Sequence, residues 1–363
     1  MAKGRRGASR GLLAYAILVA ALLAYTVAAG TGCKAALQGS GSSFLYPQLE
    51  AWIQAFQEEH PDIVINYNPT GSGTGQNQFL QRVVDFAGSD PPLKRSDWER
   101  LQGRVIQLPV ILGAVAIVYN MPGLEGHLNL SGEVLAKIYL GKIRYWDDPE
   151  IVKLNPNARL PHEEIIAVHR SDSSGTTNVF TLFLHKAAPD IWPESMVGKS
   201  IEWPVDSTGR GVGGKGNQGV AEQVRQNPYS IGYVEYNYAL KVGLQYAWIV
   251  NREGVPVPPS PETVQAAAKA AVGKLPRDPR DDWSGAFDAI VYAPGRDSYP
   301  ITSFSFLILW THYSDPGKAR GLSVFLQWIA TEGYNHVVEG YVPVPGEIRE
   351  MILEAARIIG GGQ

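Results

Sequence analysis

The sequence predicts an α/β protein built as two lobes, on three observations. Three segments run from an apolar strand through a Gly/Ser turn into a helical pattern, at 35–59, 63–84 and 165–184. Two long apolar runs, 110–119 and 301–310, have the pattern of strands buried on both faces and bracket the middle of the chain. That is where a hinge between two lobes needs them, although two ordinary core strands would read the same way. Finally, 363 residues, 45% of them hydrophobic and 18% charged, can bury a large core and exceed the size at which single cores usually divide. A net charge of -3 argues against a nucleic-acid polyanion as partner, so any anion site must be local.

The N-terminus reads as an address. Lys3, Arg5, Arg6 and Arg10 precede an uncharged stretch, 11–33, with its apolar heart at 12–29. Its length fits either a cleaved signal or a retained anchor with its basic end inside, and both imply export. Cys33, the only cysteine, follows Gly30-Thr31-Gly32 at the foot of that run. It is either the lipidated residue of a lipoprotein box or an incidental cysteine at the end of an anchor. With one cysteine there is no internal disulfide, so the exported protein is held together by its core.

The body of the chain opens with a short strand and turn at 35–44 and a helix at 46–59, whose Leu49, Trp52, Ile53 and Phe56 have helical spacing. Ser42 and Ser43 therefore sit at a helix N-terminus. A strand at 63–67 follows, and the turn 71–75 leads into a helical pattern carrying Phe79, Leu80, Val83 and Val84. Three such units suggest loops gathered at the carboxyl ends of strands, where open α/β sheets bind ligands. Asp90 ends a small-residue turn, with Pro91 biasing it to an extended backbone. Alone it would be a turn residue bonding its own backbone. Facing an oxyanion it means more, because an ionised carboxylate only accepts and tolerates an oxyanion only if that oxyanion carries a proton. Phosphate near neutral pH keeps one; sulfate keeps none.

A helix near 97–101 and the strand segment 105–109 lead into the first long apolar run. The stretch 165–184 is the chemical centre. It holds the strand 165–168, then Arg170, Asp172, Ser173, Ser174 and Gly175, then a helix carrying Val179, Phe180, Leu182 and Phe183 with Thr176 or Thr177 as N-cap. Unpaired N–H groups and partial positive charge at a helix N-terminus favour a bound oxyanion, and Arg170 offers a planar fork. Taken alone, Ser-Gly-Thr reads slightly better as a simple helix cap, so the stretch needs the other turns beside it to mean an anion site. The run 209–219 nearly spells a P-loop, but Gly216 follows Lys215 where magnesium binding needs Ser or Thr, so it is read as the Gly-rich start of a helix at 220–225. A strand at 231–235, a helix at 262–272, an irregular connection at 275–299 and helices at 321–332 and 346–359 complete the chain.

The segments GSGSSFLYPQLEAW, PTGSGTGQ, VVDFAGSDPPL, LGKIRYWDDPEIVKLNP, HRSDSSGTTNVFT, GGKGNQGVAEQV, SIGYVEYNYA and PITSFSFLIL, in this order over 37–345, resemble the PstS family, the phosphate-binding proteins of ABC phosphate transporters. The resemblance implies a type II periplasmic-binding-protein fold with two hinge strands and a ligand cleft between lobes. By position it implies phosphate contacts at Ser43 and the Phe44 backbone, at Ser72, at Asp90 as acceptor of the phosphate proton, and at Arg170, Ser174, Gly175 and Thr176. Ser43 stands where Thr is common, which keeps the hydroxyl.

The expected organisation is a signal or anchor segment at 1–34, lobe I at 35–110 and 301–363, and lobe II with the hinge at 111–300. The expected partners are inorganic phosphate and a membrane permease. The protein is expected at the cell surface or in the periplasm as a monomer, touching the membrane only through its N-terminal segment, with no nucleic acid, cofactor or metal. The seven histidines show no ligand spacing with Cys or paired carboxylates. The rival readings are a receptor for another tetrahedral oxyanion, sulfate or molybdate, and a surface phosphatase using Ser174 with His169. Two such residues five apart across a strand, turn and helix rarely face one atom.

Overall fold

A computed structural model describes residues 35–361. The N-terminal address and Cys33 lie outside the described residues, and no helix among those described is long and apolar enough to cross a membrane.

The first unit is strand β1 (Ala35–Gly41), helix α1 (Tyr46–Glu59), strand β2 (Ile63–Asn68), helix α2 (Ser72–Leu80) and strand β3 (Phe86–Ser89). β1 lies parallel to both β2 and β3, with Ala35 opposite Ile63 and Gly39 opposite Phe86. Helix α1 buries Leu49, Trp52 and Phe56, as the spacing requires. The helix α2 differs from the reading of the sequence. It begins at Ser72, so the glycines are part of its first turns, and it stops at Leu80, leaving Val83 62% exposed. After α3 (Arg95–Leu101) comes β4 (Val105–Tyr119), a single strand buried along its whole length.

The middle of the chain supplies β5 (Asn129–Leu130), α4 (Gly132–Tyr139), α5 (Pro149–Leu154), β6 (Ile166–Arg170), α6 (Gly175–Ala187), β7 (Gly211–Gly214), α7 (Gly216–Gln226), β8 (Ser230–Glu235) and α8 (Tyr236–Val242). The short strands β9 (Gln245–Tyr246), β10 (Trp248–Val250) and β11 (Pro256–Val257) follow, then α9 (Pro261–Ala271). The connection read as irregular contains α10 (Ser284–Ile290), which buries Ala286, Phe287 and Ile290. The chain closes with β12 (Thr302–Trp310), α11 (Pro316–Thr331) and α12 (Gly346–Ile359).

The strands run β2-β1-β3-β12-β4-β8-β6-β7. β4 is what joins the two lobes. Its residues 105–114 pair antiparallel with β12, and its residues 115–119 pair antiparallel with β8. The second crossing lies beside the first, since Val115 N–H donates to Ile301 O at 2.8 Å just before β12 begins. Helices pack against both strands, and both are buried at every position, as their predominantly apolar runs require. The antiparallel pairing of β12 with β3, Phe306 opposite Ser89, brings Ser305 beside the residue that follows β3, Asp90.

Candidate functional site

The first side of the site is built by the turns after β1 and β3 and by the start of α2. Asp90 is 1% exposed, yet it is surrounded by hydroxyl donors. Its Oδ1 accepts from Ser42 Oγ at 2.5 Å and Ser305 Oγ at 2.9 Å, and its Oδ2 accepts from Ser72 Oγ at 3.3 Å. Burial pushes its carboxyl up to about 6, with the hydroxyls of Ser42 and Ser305, the charge of Arg170 and the Ser72 hydroxyl pulling the other way. It is therefore ionised above neutral pH and, in that state, only accepts. In the turn after β1, the Ser43 carbonyl accepts from Tyr238 OH at 2.7 Å and the Phe44 carbonyl from Tyr341 OH at 2.5 Å. Because a trans peptide points its C=O and N–H in opposite directions, fixing the Ser43 carbonyl aims the Phe44 N–H away from Tyr238.

The other side comes from the end of β6 and the start of α6. The Arg170 fork grips Asp172, Nε to Oδ1 at 2.7 Å and Nη2 to Oδ2 at 2.5 Å, while Nη1 donates to Thr176 Oγ1 at 3.3 Å. The Arg170 side chain is only 1% exposed and that of Asp172 12%. Burial works against the charge of Asp172, but the Arg170 hydrogen bonds and charge, with the Gly216 N–H at 3.0 Å, hold its carboxyl below the usual range. The N-cap of α6 is Ser174, in place of Thr176 or Thr177. Its backbone is extended, at φ −110° and ψ 128°, and its Oγ accepts from Thr177 N at 3.0 Å. The helix thus starts two to three residues earlier than the threonines suggest, and the N–H groups of Gly175 and Thr176 precede its first intrahelical bond.

Closure brings the two sides together. A Cβ on Gly175 would stand 2.3 Å from both Asp90 Oδ2 and Ser72 Oγ, so the helix terminus meets the carboxylate with no room for a side chain. Gly73 N–H donates to Ser173 O at 3.0 Å, and Lys199 Nζ donates to Gln76 Oε1. Of the residues singled out from sequence, Ser43, Ser72, Asp90, Arg170, Gly175 and Thr176 are drawn into one cluster. Ser174 enters it as the helix cap, and Phe44 through its backbone. Four residues escaped the sequence reading. Ser42 and Ser305 hold Asp90; Tyr233 accepts from Arg170 N at 3.1 Å and bonds Thr177 Oγ1 at 2.7 Å. Asn217 bonds Ser43 Oγ across the cleft through its N–H at 3.1 Å and its Nδ2 at 3.0 Å. A signal existed for Ser305, one of three hydroxyl residues, with Thr302 and Ser303, inside a buried and otherwise apolar run. His169 is committed elsewhere, with Nε2 on Asp206 Oδ1 at 2.8 Å and Nδ1 on the Arg170 carbonyl at 3.2 Å.

The family model of the PBP superfamily domain matches residues 26–332. The chain is 40% identical over 337 residues to the phosphate-binding protein PstS of Methanocaldococcus jannaschii, covering 89% of this chain and 86% of that one. It belongs to the PstS family of phosphate-binding proteins. PstS of Haemophilus influenzae is 39% identical over 314 residues, 86% of this chain and 90% of that one. Among solved structures, an ancestral soluble variant of the human phosphate binding protein superposes with a TM-score of 0.69 at 22% identity, covering 91% of this chain and 99% of that one. A Clostridium perfringens ABC transporter substrate-binding protein, solved with bound phosphate, gives 0.60 at 18% identity, covering 85% and 100%. These likenesses fit the PstS assignment: the architecture is the two-lobed periplasmic-binding-protein fold, with two crossing strands and the cleft between lobes. The PstS relatives are binding proteins by name.

Proposed function

We propose that this protein is the exported receptor of an ABC phosphate importer, enclosing inorganic phosphate between its lobes and handing it to a membrane permease. The single observation that carries the reading is the pairing of an acceptor-only carboxylate, Asp90, with the N-terminus of α6 and Arg170 across a closed cleft. A helix terminus and a guanidinium bind any oxyanion; Asp90 selects one that carries a proton. In this reading Ser43, the Phe44 N–H and Ser72 donate from lobe I, which comprises 35–110 and 301–363. Arg170, Ser174 and the Gly175 and Thr176 N–H groups donate from lobe II, 111–300. Residues 1–34 direct export and tether the receptor to the membrane, with Cys33 as its lipid-bearing residue. The protein binds without turning its ligand over: Ser174 Oγ serves the helix N-terminus, and the imidazole of His169 is held by Asp206 and a backbone carbonyl.

Calorimetric titration of the protein expressed without residues 1–34, with phosphate and then with sulfate, tests this. Tight phosphate binding with sulfate silent is the expected outcome. Equal binding of both would transfer the reading to a general oxyanion receptor, and binding of neither would end it.

A further inference from the structure

Asn217 is fully buried at the second position of α7, among the residues read from sequence only as a Gly-rich helix start. Every hydrogen-bonding atom of its side chain is used. Oδ1 accepts from the Glu235 N–H at 2.8 Å, and because a backbone N–H can only donate, this fixes which end of the amide is oxygen. The two Nδ2 hydrogens then go to Ser43 Oγ at 3.0 Å, from lobe I, and Thr176 Oγ1 at 3.1 Å, from lobe II. Ser43 Oγ also accepts from the Asn217 N–H at 3.1 Å, and Thr176 Oγ1 from Arg170 Nη1 at 3.3 Å.

A hydroxyl has two lone pairs and one hydrogen. In both Ser43 and Thr176 the lone pairs face groups that cannot accept, so the remaining hydrogen of each has to be given away. We infer that Asn217 is a positioning residue that sets the polarity of the site: it turns one hydroxyl from each lobe into an obligate donor toward the anion. The inference rests on the anion-binding reading of the cleft. It also ties the lobes together, since the Ser43 bonds exist only when lobe I meets α7. The hydroxyls of Ser42 and Ser305 are spent on Asp90, so Ser43 and Thr176 are donors that Asp90 does not consume.

The test is a cycle read by phosphate titration of the full-length protein. Asn217→Ala frees both hydroxyls to rotate and removes the fixed donors. At about 0.5–1.5 kcal/mol per hydrogen bond, two bonds correspond to roughly a 5- to 150-fold weaker complex. The same substitution in a Ser43→Ala, Thr176→Val background should cost less than about threefold, because nothing remains to be polarised. A merely structural Asn217 predicts equal losses in both backgrounds, and that result would overturn the inference. Asn217→Asp is nearly isosteric and serves as the second variant. Its added oxygen accepts the two hydroxyl protons and adds negative charge, so phosphate affinity should fall further than in the alanine variant; affinity within about threefold of wild type would also overturn the inference. Wild-type protein that failed to bind phosphate would instead strike the functional reading itself.

Discussion

Replacing Asp90 by Asn tests the selectivity argument at its centre. The substitution preserves shape and the Oδ1 bonds to Ser42 and Ser305, and an amide nitrogen in place of Oδ2 can donate to Ser72 Oγ. What changes is charge and direction. A proton-free oxyanion held about 3 Å from ionised Asp90 suffers a repulsion of roughly 5 kcal/mol at an effective dielectric of 20. That is a discrimination of about 10³ to 10⁴, in line with polar sites that reject mismatched analogues. Phosphate escapes it by donating its proton. In Asp90→Asn the repulsion vanishes: sulfate should gain about 10³-fold, while phosphate, losing charge assistance, weakens about tenfold. The assay is competition calorimetry at pH 8, where Asp90 is ionised. A variant that kept the wild-type preference within about threefold would refute the role given to Asp90. The same group sets a pH test. A carboxyl raised from 3.8 to about 6 binds protons more tightly folded than unfolded, so the ligand-free protein loses about 3 kcal/mol of stability as pH rises from 4 to 6. Asp90→Asn should be more stable than wild type at pH 8 and should converge with it below pH 4 in denaturant titrations.

The other predictions concern the opposite lobe and its closure. Arg170→Ala should weaken phosphate binding at least about 100-fold and, by leaving buried Asp172 uncompensated, lower stability by about 3–5 kcal/mol. Adding Asp172→Asn should restore much of the stability but not the affinity, and recovery of affinity would count against direct anion contact by Arg170. Gly175→Ala places a methyl 2.3 Å from Asp90 Oδ2 and Ser72 Oγ, so the lobes should no longer close. Small-angle scattering with saturating phosphate should find the variant extended, and a wild-type compaction would sink the steric argument. Lys199 reaches from lobe II to Gln76, whose Nε2 is in turn held by Ser89 Oγ at 2.8 Å. Lys199→Met should release phosphate about tenfold faster in stopped-flow chases. Burial and the nearby Lys94 lower the Lys199 ammonium to about 8, with Asp97 opposing, so wild-type affinity should decline above that pH while the variant's does not. Parallel pH profiles would argue against a charged bridge.

How far the sequence could be read follows from what each feature depends on. Helices α1 and α12 fall at Tyr46–Glu59 and Gly346–Ile359, the limits their apolar spacing predicts, because that spacing is a property of neighbouring residues. β4 and β12 were legible as long, predominantly apolar runs for the same reason. Helix starts were less so. Ser174, Thr176 and Thr177 are all acceptable caps, and only the extended backbone at Ser174 chooses between them. The glycines of α2 read as a turn because glycine is a poor helix former, whereas close packing against β1 demands it: a Cβ on Gly75 would lie 2.4 Å from Gly41 Cα.

The chemistry divides along the same line. Sequence alone set the inventory: three strand-turn-helix units, one carboxylate after β3, and one arginine and one aspartate before α6. Each is encoded within a few residues, as is the anion preference of a helix N-terminus. Tertiary structure decided the wiring. Asp90 and Gly175 meet only because β4 crosses between the lobes, Ser305 reaches Asp90 only through antiparallel pairing with β3, and Asn217 reaches Ser43 only across the closed cleft. Local periodicity records which face of an element is buried, but the partner of a buried polar atom, hundreds of residues away, is fixed by strand order and lobe closure.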